Sequence, residues 1–162
     1  MNVRSGIGFD SHRFAAGRPL RLAGITVPHT HGLVGHSDGD VALHAVVDAL
    51  LGAAALGDIG SLFPDSDPQW KNAESVRFVK GAVEVLAGGG LAVHQVDVTI
   101  ITERPKLSSH IGAMRAATAR ALGVPMEMVS IKAKTNEGMG WVGRGEGIGA
   151  IAVATVRPSG TG

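Results

Sequence analysis

The sequence predicts an α+β fold: a two-layer sandwich in which a mixed β-sheet carries helices packed on one face. Three observations predict it. Three stretches repeat apolar residues at the helical period and stop at glycine. Several shorter stretches alternate apolar and polar residues as strands do. The two kinds do not alternate strictly along the chain, which argues against a regular doubly wound α/β fold. The 162 residues fit a single domain, 1–162. A chain of this size buries roughly two-thirds of the surface that its unfolded form exposes. Residues 157–162 are expected to be a frayed tail.

Val3, Ile7 and Phe9 alternate with Arg4, Gly6, Gly8 and Asp10, a strand period that delivers Asp10 to a polar loop. Leu20-Arg21-Leu22 and Ile25-Thr26-Val27 flank Ala23-Gly24 as a tight hairpin, before a histidine-rich loop over residues 28–37. Ser37 or Asp38 has the chemistry of a helix cap. Residues 41–56 then place Val47, Leu50, Leu51 and Ala54 on one face, ending at Gly57. An acidic, turn-rich loop covers 58–68. A second helix is expected over 72–87, with Val76, Val79, Val83 and Leu86 at helical spacing, stopped by Gly88-Gly89-Gly90. Val96, Val98 and Ile100 alternate with Asp97, Thr99 and Ile101 as a strand. A third helix over 108–122 closes at Gly123 and Pro125. Strands over 129–133 and 148–156 complete the core, separated by a glycine-rich loop over 138–147.

Composition excludes some functions. Fifteen Lys and Arg against fourteen Asp and Glu leave a net charge of +1, which gives no global field for nucleic acid or an anionic membrane. With no cysteine there is no disulfide, no thiolate nucleophile and no Cys-type zinc site, so a metal has to be held by His and carboxylate. The first residues lack the apolar core of a signal peptide, and no apolar run reaches the ~18 residues of a membrane span. A cytoplasmic protein is expected. The 24 glycines are about twice the average share of roughly 7%. They suit backbone lying close to a ligand, and equally turns and caps that need positive φ.

Asp10 and His12 are two residues apart, so in an extended segment their side chains leave the same face and can converge on one ion. His44 lies in the first turns of the helix after Asp38. Two histidines and one carboxylate form a catalytic zinc set with an open fourth position. Asp48, four residues on, shares the helix face and is expected to orient the His44 ring. Seven histidines also produce an Asp/His pair at this spacing by coincidence, so the pattern alone leaves both readings open. His29, His31, His94 and His110 read as surface or loop residues.

Six motifs occur in order: Gly8-Phe9-Asp10-Ser11-His12-Arg13-Phe14, His36-Ser37-Asp38-Gly39-Asp40-Val41-Ala42-Leu43-His44, Asp58-Ile59-Gly60, Phe63-Pro64-Asp65, Lys134-Thr135-Asn136-Glu137 and Gly143-Arg144-Gly145-Glu146-Gly147. Together they resemble the 2-C-methyl-D-erythritol 2,4-cyclodiphosphate synthase family over residues 3 to about 156. The resemblance implies that 4-diphosphocytidyl-2-C-methyl-D-erythritol 2-phosphate is cyclised with release of CMP, in the non-mevalonate route to isoprenoid precursors. That is an intramolecular phosphoryl transfer by a metal-dependent phosphorus–oxygen lyase, and it needs no protein nucleophile.

By the same resemblance, Zn2+ or a similar divalent ion is held by Asp10, His12 and His44, and Mg2+ or Mn2+ by Glu137. His36 and Ser37 meet the attacking phosphate, and Thr135 steadies the leaving diphosphate. Ser11, Asp58, Ile59, Gly60, Phe63 and Asp65 fall on the methylerythritol side. Thr102, Pro105, Lys106, Ser108, Ala133, Lys134 and Asn136 fall on the cytidine side, with Trp141 and Arg144 also near substrate. Glu103-Arg104 and Lys134 depart from the family's usual form there. The resemblance further implies a homotrimer with shared sites, and Phe9, Arg144 and Glu146 around a three-fold channel able to hold an isoprenoid diphosphate. Two other readings compete: a zinc phosphohydrolase using His36 as base, and an oligomer whose metal only staples strand to helix.

Overall fold

A computed structural model describes residues 2–160. Seven strands and five helices follow one another: β1 (Arg4–Ala16), β2 (Leu20–Leu22), β3 (Ile25–Val27), β4 (His31–Leu33), α1 (Val41–Ala54), α2 (Ile59–Leu62), α3 (Ser75–Gly88), β5 (Leu91–Ile101), α4 (Ile111–Leu122), β6 (Val129–Lys134), α5 (Gly140–Gly143) and β7 (Gly147–Pro158). Five strands form one sheet in the order β4-β1-β7-β5-β6, and β2-β3 is a separate hairpin. Only the β5–β6 pair among these is parallel, so the sheet is mixed, as expected.

The period of two is clear on β7. Ile148, Ala150, Ala152, Ala154 and Val156 are buried toward the helices, while Ile151 and Val153 point the other way. Helices α1, α3 and α4 lie on that one face: α1 crosses β1 and β7, α3 packs on α1 and β5, and α4 covers β6. Small residues let α1 come very close to β1. A Cβ on Gly6 would stand 2.2 Å from Ala49 O, and one on Gly8 would stand 2.0 Å from Ala45 O.

Several boundaries differ from the sequence reading. β1 does not stop before a polar loop; it runs on through Asp10 and His12 to Ala16, because β7 pairs with it as far as Arg13 and β4 pairs with it beyond. The cap of α1 is Asp40, whose carboxylate accepts the Leu43 N–H at 3.1 Å and also the N–H groups of Ala23 and Gly24 in the β2–β3 turn. The helix closes at Ala55, in a left-handed conformation with φ 58°, before Gly57 is reached. The acidic loop contains α2 and a 3-10 turn over Pro68–Trp70, and α3 starts at Ser75 rather than 72. β5 begins at Leu91, and the glycine-rich loop contains α5. Arg157 and Pro158 are not frayed; they pair with Ala92 and Leu91 in the sheet. Thr161 and Gly162, the last residues assigned to that tail, lie outside the described residues. Among the described residues, no helix is long and apolar enough to cross a membrane.

Candidate active site

Asp10 and His12 continue the row of Gly6 and Gly8 on the helix-facing side of β1, just beyond the point where α1 touches the strand. His44 is in the first turn of α1, next to Ala45, which makes that contact. Helix-on-strand packing therefore brings the three side chains together. His12 Nε2 lies 2.8 Å from Asp10 Oδ2, His44 Nδ1 lies 3.0 Å from the same oxygen, and the two ring nitrogens are 3.1 Å apart. A tetrahedral zinc site with bonds near 2.05 Å has ligand–ligand edges of about 3.3 Å. The triangle needs only a slight expansion to accept such an ion, and its donor set is that of a catalytic site. Among the described residues these three form the one group of His, Asp or Glu able to hold a metal.

The electrostatics fit. Burial alone would raise the Asp10 pKa, but hydrogen bonds and charge from His12 and His44 outweigh it and hold the carboxyl far below its usual range. Burial alone would lower the His44 pKa; Asp10, with the charges of Asp40 and Asp38, carries it upward instead.

The open side of the triangle faces a cavity of about 220 Å3, lined also by His36, Ser37, Ile59, Gly60, Phe63, Asp65, Trp70 and Phe78. The 35–38 loop is held from both sides. Arg18 donates to Ser37 O at 2.8 Å, Asn72 N–H donates to His36 O at 2.9 Å, and Asp38 N–H donates to Ala73 O at 3.1 Å. Phe63, Trp70 and Phe78 pack ring against ring at 5.0 to 5.5 Å and give the cavity an apolar wall. Trp70 and Phe78 escaped the sequence reading, because nothing in their spacing ties them to Asp10.

Asp48 does not orient His44. Its Oδ1 accepts the Ile59 N–H at 2.8 Å and so anchors α2. Helical spacing does put Asp48 on the His44 side of α1, but the His44 ring presents Nδ1 to Asp10 and Nε2 to Ser37 and Ser75. Asp58 caps α2, its Oδ1 accepting both Ser61 N–H and Ser61 Oγ–H.

A second cavity of about 520 Å3 is lined by Thr102, Pro105, Lys106, Ser108, Ala133, Lys134 and Thr135, all expected, together with Glu103, Leu107 and Ile111. Glu103 Oε1 accepts the N–H groups of Asn136 and Gly138, which locks this loop to the next. Thr135 Oγ1 donates to Glu137 at 3.1 Å, and Glu137 itself takes a left-handed φ of 51°. The Asn136 side chain donates to Met139 O. No residue lines both cavities. Ser11, Trp141 and Glu146 border a further cleft with His12. Arg144 pairs with Glu146 at 2.6 Å and is exposed in the single chain, as is Phe9.

A family model described as the YgbB family matches residues 3–157. The chain belongs to the YgbB family. Within it, the 2-C-methyl-D-erythritol 2,4-cyclodiphosphate synthase of Salinibacter ruber is 54% identical over 155 residues, which are 96% of this chain and 99% of that protein. A solved cyclodiphosphate synthase in a CDP-bound form superposes with a TM-score of 0.88 at 39% identity, over 95% of this chain and all of the other. The bifunctional IspDF of Campylobacter jejuni superposes with a TM-score of 0.93 at 39% identity, over 97% of this chain and 42% of that longer one. Of the six sequence motifs, the first two supply the triangle and its loop, and Lys134 and Thr135 of the fifth line the second cavity.

Proposed function

We propose that this protein converts 4-diphosphocytidyl-2-C-methyl-D-erythritol 2-phosphate into 2-C-methyl-D-erythritol 2,4-cyclodiphosphate and CMP, as a cytoplasmic homotrimer whose sites lie between neighbouring chains. The observation that carries this reading is the Asp10–His12–His44 triangle opening on a cavity, in a chain whose relatives bear that synthase name.

Asp10, His12 and His44 would hold Zn2+, which supplies Lewis-acid stabilisation of phosphate charge. His36 and Ser37 bind and orient the 2-phosphate. Ile59, Gly60 and Asp65, with the apolar wall of Phe63, Trp70 and Phe78, fold the methylerythritol chain so that its ends meet. The 2-phosphate oxygen attacks the β-phosphorus; the bond from that phosphorus to the bridging oxygen breaks, and CMP leaves with the electron pair. The attacking phosphate is already anionic, so positioning and charge neutralisation provide the catalysis. On the leaving side, Lys106 and Lys134 place positive charge beside the diphosphate, Thr135 donates a hydroxyl, and Glu137 offers the oxygen ligand that a hard cation such as Mg2+ prefers.

Assembly is supported by the sheet face that no helix covers. Ile7 pairs with Val153 and Phe9 with Ile151, so four apolar side chains, exposed by 71, 42, 57 and 36%, form one continuous patch. Such a patch on a soluble protein marks an interface. Thr155 Oγ1, on the same face of β7, is buried without a hydrogen-bond partner among the described residues. Because the two cavities share no lining residue, we read them as halves that neighbouring chains complete. The test is incubation with the CDP-linked substrate and Mg2+, expecting CMP in equal amount to the cyclic diphosphate. Release of inorganic phosphate instead would replace cyclisation by hydrolysis.

A further inference from the structure

His44 has two ring nitrogens, and only one of them faces Asp10 and His12. The other, Nε2, lies 3.0 Å from Ser75 Oγ and 3.1 Å from Ser37 Oγ. Ser75 is the first residue of α3 and is completely buried. Its hydroxyl donates to Asp38 Oδ1, and its backbone N–H donates to Asp38 Oδ2 at 3.0 Å. A carboxylate only accepts, so the single Ser75 hydroxyl proton is committed to Asp38. Toward His44, Ser75 Oγ can then act only as an acceptor. Nε2 must therefore keep a proton, so Nδ1, which donates to Asp10 when no ion is bound, is the nitrogen that gives up its proton and turns its lone pair to an ion in the triangle. Ser37 does not impose this direction. Its Oγ accepts the Gly39 N–H at 3.3 Å, and its own proton has no fixed destination.

We infer that Asp38 and Ser75 are a positioning pair that fixes the His44 tautomer and so sets the affinity of the triangle for its ion. This rests on the metal-site reading given above. Asp38 is itself well held: it accepts the Asp40 N–H at 3.2 Å, its N–H donates to Ala73 O, and Arg21 Nε lies 3.9 Å from its carboxylate. The chain of bonds runs from the start of α3 through Asp38 and Ser75 to the metal-facing edge of α1. Partners of this kind raise ligand basicity and hold ring orientation, and losing one costs about 10–100-fold in metal affinity.

The experiment compares full-length wild type, Ser75→Ala, Asp38→Asn and His44→Ala. Zinc dissociation constants come from chelator competition, the ring tautomer of the zinc-loaded protein from 15N NMR of the histidines, and folding from thermal unfolding of the zinc-free forms. Ser75→Ala should bind zinc about 10–100-fold more weakly, and His44 should lose its exclusive Nε2 protonation. Asp38→Asn, which keeps one of the two acceptors, should weaken zinc less. A residue that only caps α3 would lower the thermal midpoint while leaving zinc affinity and tautomer unchanged, and that result would overturn the inference. Should Ser75→Ala not fold, unchanged zinc affinity in Asp38→Asn would overturn it equally. If wild type and His44→Ala bind zinc alike, the metal reading itself has failed and the positioning role falls with it. Loss of zinc in His44→Ala but not in Ser75→Ala would remove the positioning role alone.

Discussion

Replacing Gly8 by alanine should damage the metal triangle from a position that touches no ligand. The added Cβ would lie 2.0 Å from Ala45 O, 2.7 Å from Ala49 N and 2.9 Å from Asp48 Cβ, against 3.4 Å where ordinary contact begins. Relief at Ala45 O requires α1 and β1 to part by about 1.4 Å, and overpacking of this kind costs about 1–3 kcal/mol or more. Neither neighbour can rotate away, since two of the three clashing atoms are backbone. His44 precedes Ala45, and Asp10 lies two residues beyond Gly8, so the same parting stretches the triangle. Metal–ligand distances tolerate only about 0.2 Å. Gly8→Ala should therefore lower zinc affinity by at least about 100-fold and shift the urea unfolding midpoint downward. Gly52→Ala is the control on the same helix. Its Cβ would meet nothing nearer than Ile7 O at 3.8 Å, and an alanine in a helix gains roughly 0.5–1 kcal/mol over glycine. Wild-type zinc affinity and wild-type stability in Gly8→Ala would refute the claim that this close approach sets the ligand geometry.

His44→Ala should lose bound zinc and nearly all turnover while circular dichroism stays native; stoichiometric zinc with normal activity would remove His44 from the site. Glu137→Gln should retain zinc yet need more Mg2+ at every level of activity, and an unchanged Mg2+ titration would place the carboxylate ligand elsewhere. Asp10→Asn and Thr135→Ala, inactive apart, should recover about one quarter of wild-type activity when unfolded together, mixed equally and reassembled. Mixed trimers seen by mass spectrometry but without activity would show that each chain holds its own site. For Asp40, burial pushes the carboxyl pKa up, with the Asp38 charge adding to it, against the pull of the Gly24, Leu43 and Ala23 N–H groups. An aspartate with a raised folded pKa binds its proton more tightly when folded, so its contribution to stability falls as pH rises through that pKa. The stability of wild type relative to Asp40→Asn, measured by urea unfolding, should thus be greatest in acid and decline toward neutral pH; a flat difference would contradict the shift.

The three long helices and the Asp10/His12 pair were legible because each follows a local rule, whereas His44 joined that pair through the family motifs. Leu50 and Leu51 announce the buried side of α1, Gly123 announces the end of α4, and the Asp10/His12 spacing announces a shared face. What stayed hidden depends on contacts between distant segments. The extension of β1 through Ser11 and Arg13 has no apolar signature; the register with β7 imposes it. Asp48 has the right spacing for His44, yet the ring direction is decided by Ser37 and Ser75, which arrive from other elements. Phe78 and Trp70 likewise reach the cavity through the packing of α3 and the turn before it, not through any motif. Three glycines in five residues around Arg144 and Glu146 read as a loop, and Trp141 and Val142 were not enough to announce α5 just before them.

The pairing of β1 with β7 has a bearing on how the protein comes into being. Arg4 sits opposite Val156, so two strands in the middle of the sheet come from nearly opposite ends of the described chain. During synthesis β1 emerges first and waits, its central neighbour still unmade, with Ile7 and Phe9 uncovered. Loop closure over such a separation is slow compared with local helix formation. A nascent chain arrested before β7 can form α1, α3 and α4 but has nothing to bridge β1 to β5, and its unpaired strand edge is open to association with other chains. Asp10 and His12 lie on that waiting strand and His44 on the helix that packs against it, so all three ligands are made long before β7, yet the strand that carries two of them gains its central neighbour only when the sheet closes.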